Sequence, residues 1–293
     1  MFQLHIEQCY RDDVELLSDA LEETGALSIT LTDQYDDPIL EPAPGAAPLW
    51  PHVVLNALYA EENDANLASA IVSKTFPQCS YSIHDLPEQD WERTCLDQFK
   101  PQLFGKRLWV CPSWLTPPES DAINLILDPG LAFGTGSHAT TSLCLTWLDK
   151  TDLKNKHVID YGCGSGILAL AALKLGAQHV HAVDIDDQAL LATQDNAMNN
   201  AITATSLTVG QPDTLNKPVD LLIANILLAP LLTLKHRFRE LLNNKGVLVV
   251  SGLLAEQVPI LIEAYQPDFM HHTTCIEKDW ALVEFRGATL ALA

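Results

Sequence analysis

Within this 293-residue sequence, a glycine-rich turn is the segment that most clearly indicates a chemical function. It reads DYGCGSG over residues 160–166, follows a short apolar run and leads into an apolar stretch with helical spacing. Glycines permit a tight turn in which the backbone closely approaches a ligand. The spacing GxGxG departs from the dinucleotide fingerprint GxGxxG, because Ile167 occupies the place of the third glycine. A P-loop is excluded, since the sequence contains no GK[ST].

Two aspartates flank this turn. Asp160 lies two residues before the first glycine, and Asp184 ends the next predicted strand, 18 residues after Gly166. A carboxylate at the position of Asp184 can accept hydrogen bonds from both hydroxyls of a ribose. Asp160 can form an ion pair with a positively charged group such as an ammonium. Each acid also has a purely structural alternative: Asp160 would cap the helix that follows it, and Asp186 or Asp187 would cap the next one.

The distribution of cations narrows the choice of ligand. No Lys or Arg occurs over residues 108–149 or 157–173. A diphosphate at the turn would therefore have only a helix N-terminus as a partner. These residues predict a ligand that has a ribose and a positively charged amino-acid tail but no phosphate. S-adenosyl-L-methionine fits this description better than NAD.

A second glycine-containing segment covers residues 127–141 and reads LDPGLAFGTGSHATT. Its glycines and hydroxyl residues predict a flexible loop that forms a wall or lid over the ligand, with Phe133 available for apolar contact. One hydroxyl residue among Ser137, Thr140 and Thr141 is expected to be an ordinary helix cap.

Asn225 closes an otherwise apolar predicted strand in the stretch IANILL. A polar side chain at such a place needs a partner if it is buried. Its carbonyl oxygen is suited to accept a hydrogen bond from an incoming amine, and its amide to contact the cofactor. We therefore predict a functional role for Asn225 in positioning the amine.

Composition restricts the class of protein. The chain has 38 acidic and 17 basic side chains, a net charge of −21, so nucleic acid is not expected as a direct partner. Seven cysteines without CxxC spacing indicate reduced thiols, and neither they nor the ten histidines predict a metal site. No secretory signal and no apolar run long enough for a membrane helix is present. The prediction is a cytoplasmic protein without a membrane partner.

Hydrophobic periodicity predicts two domains. Residues 1–86 follow the order βαββαβ, the ferredoxin-like arrangement, and residues 87–100 are predicted to be a helical linker. Residues 101–293 alternate strands and helices, which indicates an α/β fold with a mainly parallel sheet covered on both faces. Ligands of such sheets bind outside the carboxyl ends of the strands. The candidate residues follow predicted strands and should meet at that edge.

Six stretches carry a resemblance to known proteins: LDPGLAFGTGSHATT, VIDYGCGSGILALAALKLGA, VDIDDQAL, NILLAPL, QDWERTCLDQFKP and RLWVCPSW. With them the chain resembles the class I S-adenosylmethionine-dependent methyltransferases, and more closely the ribosomal protein L11 methyltransferase family of bacteria. The family loop usually reads GTGTHPTT, whereas this chain has Ser137 and Ala139 in place of Thr and Pro.

The resemblance implies a Rossmann-like, seven-stranded class I methyltransferase domain preceded by a small ferredoxin-like domain that recognises the basic ribosomal protein. The implied activity is methylation of amino groups of ribosomal protein L11, namely lysine side chains, and the sequence leaves open whether the N-terminal amine is included. The implied cofactor contacts are Thr141, Gly162, Asp184 and Asn225, with Phe133, Gly134, Thr135 and Gly164 as neighbours. Residues 1–100, with 19 acidic and 4 basic side chains, would attract a lysine-rich substrate.

Other functions remain open at this point. The chain could methylate another protein, a small molecule or a nucleic acid, although the acidic first domain disfavours RNA. It could be a non-catalytic S-adenosylmethionine-binding protein, or an NAD-dependent dehydrogenase. The identity of a general base is also open, with His138 as the candidate.

Overall fold

A computed structural model describes residues 1–40, 42, 45–87, 99–128 and 138–287 of the chain. Contacts between Cα atoms divide it into two compact units, Met1–Thr94 and Cys95–Ala293. Most of the linker predicted over 87–100, and the loop residues Phe133, Gly134 and Thr135, lie outside the described residues. The domain boundaries therefore stay a prediction.

The secondary-structure elements of the first unit follow the predicted order βαββαβ. Its elements are β1 (Phe2–Tyr10), α1 (Val14–Glu23), β2 (Ser28–Asp33), β3 (His52–Tyr59), α2 (Glu62–Thr75) and β4 (Ser80–Asp85). The strands form an antiparallel sheet in the order β2-β3-β1-β4. One apolar core joins the sheet to the buried side chains of both helices, including Leu17, Leu21 and Val72. This is the ferredoxin-like arrangement that the sequence predicted.

The second unit contains two sheets. Its strands are β5 (Gln102–Phe104), β6 (Leu108–Cys111), β7 (Ile123–Ile126), β8 (His157–Tyr161), β9 (His179–Val183), β10 (Leu207–Gly210), β11 (Val219–Asn225), β12 (Leu242–Leu254), β13 (Phe269–Glu277) and β14 (Trp280–Gly287). Its helices in the described part of the chain are α3 (Ala139–Lys150), α4 (Ile167–Lys174), α5 (Asp187–Asn199), α6 (Leu228–Glu240) and α7 (Val258–Tyr265).

The main sheet has seven strands within the described residues, in the order β10-β9-β8-β11-β12-β14-β13. The first five are parallel, and β14 and β13 are antiparallel additions at one edge. One face packs against α3, α4 and α5 and the other against α6 and α7, so the sheet has an apolar core on each side. The α/β fold with a covered, mainly parallel sheet is as predicted, and a smaller sheet of β5, β6 and β7 joins the first of these cores.

Some element bounds differ from the predictions, each for a local reason. Helix α6 begins at Leu228 rather than after Pro230, because proline is tolerated in the first turn of a helix. Strand β12 extends beyond the predicted 247–251 at both ends, and on the first side its residues Asn243, Asn244 and Lys245 are polar and exposed and carry no apolar signal. Among the described residues, no helix combines the length and apolar character that crossing a membrane requires.

Candidate active site

The glycine turn connects β8 to α4 at the carboxyl edge of the main sheet. Gly162, Gly164 and Gly166 all have positive φ, at 81°, 54° and 79°. The N–H groups of Gly162 and Cys163 donate to the carbonyl oxygen of Val183 at 2.8 and 3.0 Å, which ties the turn to the end of β9. A Cβ atom on Gly162 would lie 2.5 Å from Cγ2 of Ile226. The turn therefore requires glycine both for its conformation and for its close approach to β11.

Asp184 lies immediately after β9 and lines the cleft beside this turn. Its Oδ2 accepts a hydrogen bond from the backbone N–H of Gly164 at 2.9 Å, and its Oδ1 accepts one from the N–H of Asp186 at 3.1 Å. The carboxylate is thus held against the turn in a fixed orientation. Asp186 is the N-cap of α5, where its Oδ1 accepts from the N–H of Gln188 at 2.9 Å. The capping role therefore belongs to Asp186, which leaves Asp184 available for a ligand.

Asp160 lies beneath the turn and is completely buried. Its Oδ2 accepts from the backbone N–H of Ala169 in the first turn of α4 at 2.9 Å, while its Oδ1 has no hydrogen-bond partner among the described residues. Burial raises the pKa of Asp160 to about 7, and the negative charge of Asp184 adds to the rise, whereas the bond from Ala169 opposes it. Asp160 is not one of the residues that line the cleft. Its contact with the ammonium group of a ligand stays a prediction.

Asn225 ends β11 and lines the cleft together with Thr141 from the first turn of α3. The Nδ2 of Asn225 donates to Oγ1 of Thr141 at 3.4 Å. Its Oδ1 is buried and has no hydrogen-bond partner in the described part of the protein. A buried carbonyl oxygen without a partner costs free energy, so this atom is a strong candidate to accept a hydrogen bond from a ligand.

Two glycines pack tightly against Ile226, the residue after Asn225. One is Gly162, and the other is Gly252, which has φ +85° and lies where the pairing of β12 with β14 shifts register. A Cβ atom on Gly252 would lie 2.5 Å from the carbonyl oxygen of Ile226. The backbone on both sides therefore fixes the place at which β11 ends and presents Asn225.

His138 is the N-cap of α3 and half-buried. Its Nδ1 accepts from the backbone N–H of Thr140 at 3.3 Å and lies 2.8 Å from the hydroxyl of the same residue. Burial lowers the pKa of His138. With Nδ1 acting as an acceptor, the proton of the neutral ring is on Nε2. This arrangement makes His138 a cap and a poor candidate for the general base.

Gly162, Gly164, Asp184, Asn225 and Thr141 line a cleft of about 340 Å³. The cleft also has an apolar lining, which consists of Ile167, Leu168, Ile185, Pro212, Ile226, Pro230 and Leu234. No Lys or Arg lines the cleft among the residues that the structure describes. Apolar side chains together with one carboxylate match a ligand with an aromatic base, a ribose and a positive charge.

Sequence reasoning missed Thr193, which supports the turn from α5. Thr193 is fully buried, and its hydroxyl donates to the carbonyl oxygen of Gly164 at 3.1 Å and lies 3.4 Å from the Sγ of Cys163. A Cβ atom on Gly166 would also contact it, at 2.7 Å. The available signal was a threonine at i+4 from Ala189 and i−4 from Ala197, which places a hydroxyl on the buried face of that helix.

Comparison with known proteins identifies the family of the chain. The family model described as ribosomal protein L11 methyltransferase (PrmA) matches residues 1–287. The chain belongs to the ribosomal protein L11 methyltransferase family. A family member of Legionella pneumophila (strain Corby) is 59% identical over 285 residues, which are 97% of this chain and 98% of that protein. One of Nitrosococcus oceani is 47% identical over 288 residues, covering 96% and 97% of the two chains.

A solved structure shares the fold of this methyltransferase. It is the ribosomal protein L11 methylase of Lactobacillus delbrueckii subsp. bulgaricus, with a TM-score of 0.60 and 32% sequence identity. The match covers 65% of this chain and 100% of that one. The chain is therefore a methyltransferase, and S-adenosyl-L-methionine is its cofactor. The site fits this group, because Asn225, whose buried Oδ1 has no described partner, lines the same cleft as Asp184 and as Gly162 and Gly164 of the glycine turn.

Replacing Gly162 with alanine should lower both the stability of the methyltransferase and its affinity for the cofactor. The new Cβ would contact Ile226 and force a positive φ on alanine, which we expect to reduce the free energy of unfolding by about 1–3 kcal/mol. Denaturant unfolding and calorimetric titration with S-adenosyl-L-methionine measure the two effects. Gly176→Ala is the matched control, because Gly176 has φ +108° but nothing within 4 Å of its added Cβ. Equal losses of cofactor affinity in the two variants would contradict a specific role for Gly162.

Proposed function

We propose that this chain methylates amino groups of ribosomal protein L11 in the cytoplasm, on lysine side chains and also on the N-terminal amine. The observation that carries the proposal is the buried Oδ1 of Asn225, an acceptor without a partner among the described residues in the wall of the cleft. An incoming amine is a hydrogen-bond donor that satisfies it. The substrate is supported by the names of the relatives from Legionella pneumophila and Nitrosococcus oceani, both ribosomal protein L11 methyltransferases.

The bound cofactor would supply an electrophilic methyl group and its own leaving group. The residues of the chain then have to hold an amine in line with that methyl group, and orientation of this kind provides a large part of a rate enhancement. Asn225 is placed to accept an N–H of the amine through Oδ1, while its Nδ2 is held by Thr141. Asp184 and Gly164 hold the polar side of the cleft.

A lysine side chain must lose its proton before it attacks, because its reference pKa is about 10.4. His138 is not arranged to take that proton, since its Nδ1 is engaged with Thr140. Asp160, whose pKa burial raises to about 7, is not among the residues lining the cleft. We therefore assign no dedicated base and expect deprotonation by solvent before the amine enters the site.

The first unit is proposed to attract and dock the basic substrate, chiefly through residues 1–86, with 87–100 as the linker and 101–293 as the catalytic domain. Its helices carry acidic side chains on α1 and α2, namely Glu15, Asp19, Glu22, Glu23, Glu62 and Asp64. Complementary charge of this kind raises the rate of association and discriminates against acidic partners.

A transfer experiment with radiolabelled S-adenosyl-L-methionine tests the proposal. Purified chain, purified L11 and ribosomal RNA are incubated together, and the labelled molecules are separated and digested for mass spectrometry. We expect label in L11, on lysines and the N-terminal residue. Label confined to RNA, or none in L11 despite cofactor binding, would contradict the substrate assignment.

The docking role predicts a dependence on salt. Raising ionic strength from about 0.01 to 0.1 M shortens the Debye length from ~30 to ~10 Å, so association with L11 should slow markedly. Stopped-flow mixing measures this rate. The rate of cofactor binding is the internal control and should change little. A substrate association rate that does not respond to salt would show that the acidic charge only promotes solubility.

A further inference from the structure

A second cavity lies at the edge of the main sheet opposite the active site. Its volume is about 320 Å³, and its lining residues are His157, His179, His181, Thr214, Leu215, Asn216 and Lys217. His157 is the first residue of β8 and His179 the first of β9, so the cavity is at the amino ends of these strands. The glycine turn and Asp184 follow the carboxyl ends of the same strands. The methyl-transfer site therefore does not use this cavity.

The register of the sheet brings three imidazoles together on one face. His157 and His179 are direct partners in the parallel pairing of β8 and β9. His181 is two residues after His179, and side chains two residues apart on a strand point to the same face. The ring centroids of His157 and His179 are 6.2 Å apart, and those of His179 and His181 are 4.7 Å apart. Lys217 adds an ammonium group to the same lining.

The three imidazoles and Lys217 are groups that can carry positive charge, and they line one cavity in a chain whose net charge is −21. Burial lowers the pKa of His181, and His179, His157 and Lys217 lower it further by repelling its positive form. No carboxylate lines the cavity within the described residues. The charged side chains on the neighbouring segments are Lys156, Asp213, Asp220, Arg237 and Glu240, and none of these lines the cavity.

Three of those neighbours already have local partners. The Oδ2 of Asp220 accepts from the backbone N–H of His157 at 2.9 Å, and its Oδ1 accepts from the Nδ2 of Asn243 at 3.3 Å. Arg237 forms an ion pair with Glu240 at 3.1 Å. The basic groups that line the cavity and can face a ligand are therefore the imidazoles and Lys217.

Both ring nitrogens of His179 have polar neighbours. Its Nδ1 lies 3.2 Å from the carbonyl oxygen of Thr205 and therefore donates to it. Its Nε2 lies 3.0 Å from Oγ1 of Thr208. These contacts hold the ring in a fixed orientation at the cavity. A negative ligand would favour the protonated form of the cluster, because it offsets the mutual repulsion of the positive rings.

We propose that this cavity binds a doubly charged oxyanion, either free phosphate or the phosphate of a small phosphomonoester, with uptake of protons by the histidine cluster. A metal ion is a poorer occupant, since no group of three or more His, Cys, Asp or Glu in the described parts of the chain is arranged to hold one. The volume is within the range of small-molecule pockets, which leaves room for an ester group beyond the phosphate.

Calorimetric titration of the full chain with sodium sulfate tests the proposal, because the charge of sulfate is constant while imidazoles titrate. We expect affinity to fall with rising pH, by up to about tenfold per pH unit for each proton taken up, at pH values above the pKa of His181 in the free protein, which burial holds below its usual value. Titrations at one pH in two buffers of different ionisation enthalpy should show net proton uptake. Inorganic phosphate and glycerol 3-phosphate, which lacks the base and ribose that the active-site cleft is matched to, form further arms, and tighter binding of the ester identifies a phosphomonoester as the ligand.

Matched variants localise the effect. His181→Gln should weaken sulfate binding about tenfold and reduce proton uptake, whereas His236→Gln should do neither, because His236 is on α6 with 81% of its side chain exposed. In the unmodified protein, sulfate should shift the NMR signals of the imidazoles. This measurement does not depend on any variant. Absence of proton uptake, or equal affinities in His181→Gln and the unmodified chain, would overturn the proposal.

Discussion

Asp184→Ala should reduce the affinity of the enzyme for S-adenosyl-L-methionine by about 100-fold, or about 3 kcal/mol. Hydrogen bonds to a charged acceptor contribute about 1.5–3 kcal/mol each, and the carboxylate is predicted to accept those of the ribose hydroxyls. The variant also loses the acceptor that holds the N–H of Gly164 at 2.9 Å, so the glycine turn itself should loosen. Calorimetric titration with the cofactor measures the loss.

Asp186→Ala is the control for this prediction, because it removes a carboxylate two residues away. Asp186 caps α5 through the N–H of Gln188, and its loss should cost about 1 kcal/mol of stability. Cofactor affinity should change little, since Asp186 is not among the residues lining the cleft. If the two variants bound the cofactor equally well, Asp184 would not be a ribose ligand.

Asn225→Ala should lower kcat for methyl transfer by about 100-fold, the order of effect expected when a reacting group is no longer oriented. The free energy of unfolding should stay unchanged or rise, because the substitution removes a buried oxygen that has no partner in the described structure. Steady-state kinetics with L11 and denaturant unfolding measure the two quantities. Activity lost without stability lost is typical of a residue retained for function.

Two conservative changes separate orientation of the amine from general damage to the cleft. Thr141→Val removes the hydroxyl that receives the Nδ2 of Asn225 at 3.4 Å, and should lower kcat less than Asn225→Ala does. Thr141→Ser keeps that hydroxyl and should restore most of the rate. A normal kcat in Asn225→Ala, or equal rates for the valine and serine variants, would contradict the positioning role.

The element types of both units were predictable because their apolar residues follow simple periods. Alternation in Phe2–Tyr10 and the spacing of Val14, Leu17 and Leu21 on α1 reflect one buried face each. Strand β5 (Gln102–Phe104) was missed, because three residues with two exposed side chains give no periodic signal. The first half of β12 was missed for the same reason.

The chemistry at the carboxyl edge was also largely readable from sequence. The sequence places the glycine turn, Asp184 and Asn225 each at the end of a predicted strand. Because parallel strands end at the same edge of a sheet, this pattern predicted that the three would meet in a single cleft. The structure places Gly162, Gly164, Asp184, Asn225 and Thr141 in that cleft. Their individual contacts with the cofactor stay predictions.

What the sequence determined by itself is the order of elements, the family and the types of residue at the active edge, since each depends on local pattern. Only the tertiary structure decided which polar groups are already satisfied. It shows that His138 caps α3 and that Asp184 accepts a hydrogen bond from Gly164. It also shows that Oδ1 of Asn225 has no described partner. It also brought His157 beside His179 through strand register. Hydrogen bonds and register join residues far apart in the chain, so their pairing is fixed only when the sheet and its helices pack.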